Sequence, residues 1–324
     1  MKRLFGGGLL LTVLFICLGL LLFGGAQAIS FDTFTAESMT NSADHRIFWL
    51  LKIPRLLLVL TVGGALAMVG GTYQILFNNS LADPYILGVS SSVTLGLVVA
   101  EIFLGWPSNS IKAMGIGLGF ALIVILLLLF CFYFHKLQNM ERVVLFGVGI
   151  NFLFSSALFI LISLQNHTLG SGSMRWLFGN IPWIELKESF ALIAITAPIG
   201  IIIVIFGRYL DGLSLGDTVA RTLGFNPNHV RGFYLVLTSL LLTSVTCLTG
   251  SIGFIGLVVP HCVRLVFAPR SSRVLLLISF VFGALFLAVS DTISRSILPP
   301  LEFPIGMVTT LLGGPLFLYL LWKR

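Results

Sequence analysis

Asp291 and Arg295 stand four residues apart, a spacing that puts a carboxylate and a guanidinium on one helical face and lets them pair. Lys52 and Arg55 form a basic pair at the outer mouth of an apolar stretch, where interfacial snorkelling is the plainer reading. Asn151 and Ser155 share a helical face at i, i+4, with Ser156 beside them, and offer amide and hydroxyl hydrogen bonding. His261, in Val-Val-Pro-His, could ligate haem iron or pass a proton, and His167 could touch a metal chelate. For His261 a local hydrogen bond or protein contact is the plainer reading. Cys17, Cys131, Cys247 and Cys262 sit in or beside apolar stretches without metal-type spacing, as small buried hydrophobes do. No nucleophile, base and metal set converges, which argues against a membrane-embedded enzyme. The chain has no G-x-x-x-x-G-K-[ST] phosphate loop, so it cannot bind ATP in the usual way, and a partner must supply any ATP-driven work. An ion-coupled secondary transporter would need carboxylates at mid-membrane. Asp83, Glu101, Glu141, Asp291 and Glu302 instead fall near the ends of apolar stretches.

Those stretches must position the polar groups. The chain has 324 residues, 57% hydrophobic and 10% charged, with a mean hydropathy of +1.06. Soluble domains carry roughly 25% charged residues, so this is an integral membrane protein. Its apolar runs continue for about 20 residues, as spanning helices require, whereas barrel strands alternate over about 10 residues. The net charge of +7 reports topology rather than nucleic-acid binding. Ten spans are predicted, at 4–28, 55–77, 85–104, 112–134, 142–165, 189–207, 232–250, 253–268, 274–294 and 304–322. The eighth is short and carries His261 and Arg264, so it is expected to enter at an angle. Residues 1–28 could be a cleaved signal, but the apolar core Leu9–Phe23 is long enough for a first helix, the reading adopted here. With both termini cytoplasmic, twelve of the 19 basic residues fall inside and seven outside, as the positive-inside rule asks.

Three stretches interrupt or flank the spans in informative ways. LKIPRLLLVLTVGGALAMVGGTYQILFNNSLADPYILGVSSS places Lys52 and Arg55 at the outer mouth of a helix rich in small residues, which permits close packing. It ends in the polar turn Asn78–Pro84. TGSIGFIGLVVPHCVR is a membrane segment broken by glycines and Pro260, a pattern tolerated where backbone is buried in protein or lines a cavity. The longest polar inner segment, 208–231, reads as two short helices, the first capped by Ser214 or Asp217 and ended by Gly224, the second started by Asn226-Pro227. It is the one sizeable inner place to dock a partner.

These motifs, in this order with EFPIGMVTTLLGGPLFLYLL at the end, closely resemble the permease subunits of iron-siderophore, haem and vitamin B12 ABC importers, the FecCD/BtuC-like family. The resemblance covers residues from about 46 to 324. It implies an all-α polytopic membrane protein of ten transmembrane helices with the type II ABC importer permease fold, a single permease domain over 1–324 that contains the coupling segment 208–231. It further implies a second permease subunit, forming a homodimer or heterodimer, two ATP-binding subunits and an extracytoplasmic substrate-binding protein, in the bacterial cytoplasmic membrane. The chain itself would hold no cofactor, ATP and Mg being bound by the ATPase, and would not be an enzyme. Residue by residue, the resemblance puts binding-protein docking on Lys52, Arg55 and Arg295, and a cytoplasmic gate on Asn79 and Leu81. It makes the span of Asn151, Ser155 and Ser156 a pathway lining. ATPase coupling falls on the family's GxxARxLG stretch, here Gly216, Asp217, Ala220, Arg221, Leu223 and Gly224. Two departures stand out: Lys52 replaces the more frequent Arg and so offers a point charge instead of a fork, and Ser80 replaces the usual Pro. The implied cargo is a siderophore-bound iron or haem, then cobalamin, then an oxyanion such as molybdate.

Overall fold

The computed structural model describes residues 46–107, 110–134, 140–164, 178–297 and 302–322. The predicted first span, 4–28, and His167 lie outside them. The described residues form eleven α-helices: α1 (Ile53–Leu76), α2 (Val89–Leu104), α3 (Ile111–Phe134), α4 (Met140–Leu164), α5 (Leu186–Ile205), α6 (Gly207–Ser214), α7 (Asp217–Thr222), α8 (Pro227–Thr249), α9 (Ile255–Phe267), α10 (Ser272–Ser296) and α11 (Ile305–Trp322). Six are long and apolar enough to cross a membrane: α1 with the π-helical turn Phe48–Lys52 that precedes it, α3, α4, α5, α8 and α10. Each of the other three predicted spans within the described residues coincides with a shorter apolar helix, α2, α9 or α11. At 1.5 Å per residue, 16-residue α2 and 13-residue α9 reach about 24 and about 20 Å, short of a hydrocarbon core of about 30 Å.

Helix α1 is the hub. Its apolar window is 78% buried, and it packs on α5, α8, α9 and most extensively α10. Small residues set those crossings. A Cβ on Gly63 would stand 2.3 Å from the Gly283 carbonyl oxygen of α10, and one on Gly70 would stand 1.9 Å from the Gly256 oxygen of α9. Helix backbones approach this closely only where both sides lack side chains. At the other extreme α4 is 17% buried and presents Phe152, Leu153, Phe159 and Ile160 outward.

The two broken segments each follow a long helix and precede a short one. After α1, Asn78 adopts a left-handed conformation, and the 3₁₀ turn Pro84–Leu87 leads to Gly88 and α2. After α8, Gly250 and Phe254 have positive φ and lead to α9. Asp83 lies between the end of α1 and the 3₁₀ turn, near the ends of both helices as its sequence position suggested. The segment folds back so that Pro84 packs on Gly256, which itself meets Gly70, six residues inside the end of α1.

Candidate translocation pathway

The two broken segments meet at Tyr85. Its hydroxyl accepts from the Ile252 amide at 2.8 Å and donates to the Ile252 carbonyl at 2.9 Å, satisfying both polar groups of one residue in the other break. Asp83 accepts from the Tyr85 amide at 2.8 Å and so caps the turn that presents the ring. Gly88, with φ 76°, then starts α2 hard against α4: a Cβ there would lie 2.8 Å from Ile150 Cγ2 and 3.0 Å from the Asn151 nitrogen. No other residue type holds that backbone at that distance without strain. The contact brings Asn151 and Ser155 of α4 to the hydroxyls at the start of α2.

The result is a cavity of about 260 Å³ whose polar lining is Tyr85, Ser90, Ser91, Thr94, Asn151, Ser155 and Ser251. Tyr85, Phe178 and Ser251 are shared with a second cavity of about 500 Å³ that runs on to Gly306, Met307, Thr310 and Leu311 of α11. Ser90 and Ser251 are 2.9 Å apart, with Thr246 3.5 Å from Ser90. An apolar space of about 310 Å³ lies between α1, α5, α8 and α10, but its walls are aliphatic and aromatic with Thr61 and Thr196 turned to their own helix carbonyls. The polar pair of cavities is the one that can contact a solvated cargo.

At one end of α1 lies a four-charge cluster. Arg55 reaches Asp291 at 2.8 Å and Glu302 at 3.2 Å, and Arg295 reaches the other Asp291 oxygen at 3.0 Å. The Arg55 guanidinium also lies 4.3 Å over the Trp183 ring. Arg55 is 4% exposed and Asp291 1%. The expected Asp291–Arg295 pair is present, but Arg55 does not stand outward. Lys52 is buried as well. Asp291 and Glu302 neutralise Arg55 and Arg295 there, which offsets the cost of taking the two guanidinium groups out of water.

At the other end, α6 and α7 form a small knob. Ala220 is fully buried, Phe225 fills the space over Gly212, and Arg231 grips Asp217 with two bonds of 2.6 and 2.9 Å. On that base Arg221, Leu223 and Gly224 are exposed, Leu223 by 60%. Gly216 (φ 104°) precedes α7 and caps it in place of Ser214 or Asp217, and Gly224 (φ 87°) ends it as expected. Asn226 caps with Pro227 behind it, but the helix they start is the spanning α8 and not a second short one.

Sequence comparison matches this chain to the FecCD transport family over residues 10–323. The chain belongs to that family. It is 33% identical to the hemin transport permease HmuU of Yersinia pestis, over 99% of this chain and 96% of that protein. It is also 33% identical to the vitamin B12 import permease BtuC of Vibrio cholerae, over 89% and 86%. A solved metal-chelate type ABC transporter in an inward-facing conformation matches with a TM-score of 0.85 and 25% identity, covering 100% of this chain and 99% of that one. The FecCD chain is thus a multi-pass permease of an ABC importer, a kind of subunit that works with an ATPase and a substrate-binding protein.

Within this FecCD chain the residues expected to line the pathway divide. Asn151 and Ser155 reach the cavity, whereas Ser156 lies outside both linings. Asn79 and Leu81 sit together in the turn after α1, where the Asn79 side chain accepts from the Leu81 amide at 2.9 Å and Leu81 is exposed. His261 is buried on α9. Tyr85, Ser90, Ser91, Thr94, Ser251 and Thr310 escaped the sequence reading as lining residues. The run Asp-Pro-Tyr followed by three serines after Gly88 was the available signal, because hydroxyls clustered at the start of a broken membrane helix need somewhere to turn.

Proposed function

We propose that this chain is one of two permease subunits, most simply two copies of itself, that import a bulky metal chelate: siderophore-bound iron, haem or a corrinoid. Two ATP-binding subunits drive it and an extracytoplasmic binding protein delivers the cargo across the cytoplasmic membrane, with both termini inside. The observation that carries this reading is the pair of adjoining cavities at the junction of the two helix breaks, where Tyr85 holds both. Movement of either break changes the shape of the cavity wall, which is what alternating access requires. The exposure of α4, which nonetheless carries Asn151 and Ser155, supports a second copy closing the pathway from the other side. Asn79 and Leu81 form the inner gate in this scheme. The α6–α7 knob docks the ATPase through Arg221 and Leu223, held in place by Gly216, Asp217, Ala220 and Gly224. Docking of the binding protein engages the end of α1 and α10, where its carboxylates would take over Arg55 and Arg295 from Glu302 and Asp291, with Lys52 nearby.

The test is uptake into proteoliposomes that hold the chain with the ATPase and binding protein encoded beside it. Chelate accumulation that needs ATP is the expected result. Accumulation driven by a proton gradient without the ATPase would instead establish a secondary transporter. In the same preparation Arg221→Glu combined with Leu223→Asp is expected to cut cargo-stimulated ATP hydrolysis by about tenfold or more, as loss of a central contact does. Unchanged stimulation would reject the knob as the coupling element.

A further inference from the structure

The apolar space between α1, α5, α8 and α10 is a groove with one covered and one open side. Ala65, Met68, Thr196 and Leu241 line it from within and are buried. Ile201 and Ile205, each 57% exposed, and Leu277, 52% exposed, line it along the outer face of the bundle. Along α5 the lining runs from Ile193 to Ile205. Twelve residue steps cover about 18 Å, close to one leaflet of a hydrocarbon core of about 30 Å. Thr61 and Thr196 donate to the Leu57 and Leu192 carbonyls, so the wall offers an occupant apolar contact alone.

The groove ends at a basic, aromatic mouth on the side of the α6–α7 knob. Phe206 follows Ile205, stacks on Tyr209 with ring centres 6.0 Å apart, and meets Phe233 edge-on at 5.5 Å. Aromatic groups of this kind gather where a membrane meets water. Arg273 lays its stem over Gly207 and donates to the Ile205 carbonyl at 2.8 Å, which fixes its head at the last lining residue of α5. Arg208 lies 4.9 Å over the Tyr209 ring and donates to its hydroxyl at 3.2 Å. Both guanidinium groups are exposed, and neither forms an ion pair with a described residue. The nearby carboxylates are engaged elsewhere: Asp211 accepts from the Ser272 amide at 2.6 Å, and Asp217 is held by Arg231.

We propose that this groove binds an anionic phospholipid, with one acyl chain between α5 and α10 and the phosphodiester on Arg208 and Arg273. Each guanidinium has five N–H donors in a fork that matches phosphate oxygens, and one printed bond on each leaves most of them unused. Basic pockets between spanning helices at a membrane face take anionic headgroups in this way. A zwitterionic lipid offers the same chains and phosphate, but its ammonium group would stand against two cations. The lipid would also sit at the joint between α5 and α6, and so brace the segment that carries the knob. The site shares no lining residue with the polar cavities, so it does not rest on their being the cargo pathway.

The experiment uses the full chain in nanodiscs of phosphatidylglycerol and phosphatidylcholine, whose two leaflets are alike, so sidedness does not enter. A trace of either lipid carries a photoreactive diazirine on its acyl chain, and crosslinked peptides are counted by mass spectrometry. The phosphatidylglycerol probe is expected to label α5 between Ile193 and Ile205 at least about fivefold more than the phosphatidylcholine probe. That is the factor that one basic residue near an anionic lipid supplies. On the exposed face of α3, at Leu122, Ile123 and Leu126, the two probes should label alike. Arg208→Gln with Arg273→Gln is expected to bring the groove ratio to parity, whereas Arg208→Lys with Arg273→Lys should keep a preference. Parity in the unmodified protein, or a preference that survives the glutamine pair, would overturn the proposal. So would a groove labelled by neither probe, which would show it covered by residues 4–28 or by a second copy of the chain.

Discussion

Asp291→Ala is expected to destabilise the protein by about 3–5 kcal/mol, the cost of leaving buried charge without its partner. The carboxylate serves two arginines at once, at 2.8 Å from Arg55 and 3.0 Å from Arg295, and is 1% exposed. Removing it leaves Arg55 with Glu302 alone, at 3.2 Å, and deprives Arg295 of its ion pair. Arg295→Ala should cost less, because Asp291 keeps its 2.8 Å bond to Arg55 and the carboxylate left in excess, Glu302, is 25% exposed and reaches water. The measurement is thermal unfolding of the purified protein in one detergent, comparing both variants with the parent. The order of the two effects is the point: if Arg295→Ala lowers the midpoint as much as Asp291→Ala, Asp291 is not the centre of the cluster. The cluster ties α1 to α10 and to the entry of α11, so the same variant should loosen that end of the bundle first.

Gly70→Ala is expected to cost at least the about 1–3 kcal/mol typical of overpacking and to abolish transport. The added Cβ would fall 1.9 Å from the Gly256 oxygen and 2.4 Å from its carbon, which are backbone atoms that cannot rotate aside. Helix α9 must then move off α1. That movement reaches the pathway, because Gln74 donates to the Leu257 carbonyl at 2.9 Å and Gly256 packs on Pro84, the residue before Tyr85. Gly256→Ala should behave alike, its Cβ falling 2.2 Å from Pro84 Cγ. Gly115→Ala on α3 is the control, since nothing lies within 4 Å of its added carbon. Its substitution should be neutral or slightly stabilising through helix propensity. Transport and unfolding measured on all three decide it, and a Gly70→Ala protein with normal uptake would show that the α1–α9 crossing is not part of the moving parts.

Features encoded over one or two helical turns were legible without coordinates. The apolar runs located nine of the predicted spans on nine helices, because a residue in lipid must be apolar whatever it later touches. Asp291 and Arg295 pair as their spacing says, and Gly224 and Asn226 act at the helix ends where their backbone and side-chain preferences place them. The glycines of α1 were readable as close-packing positions. What they pack against was not, since Gly63 meets Gly283 and Gly70 meets Gly256 across most of the chain.

The amino-acid sequence by itself therefore determined the class of the protein, its helices and its kinship, through local hydropathy and contiguous motifs. Only the tertiary structure decided which way the few polar groups face. Arg55 and Asp291 are 236 residues apart in sequence, and no local period specifies that such a pair will close on itself instead of standing outward. Tyr85 and Ile252, separated by 167 residues, join two helix breaks that look independent on paper. In a nearly charge-free bundle each polar group must find a partner wherever packing offers one, and that choice is made by the whole fold.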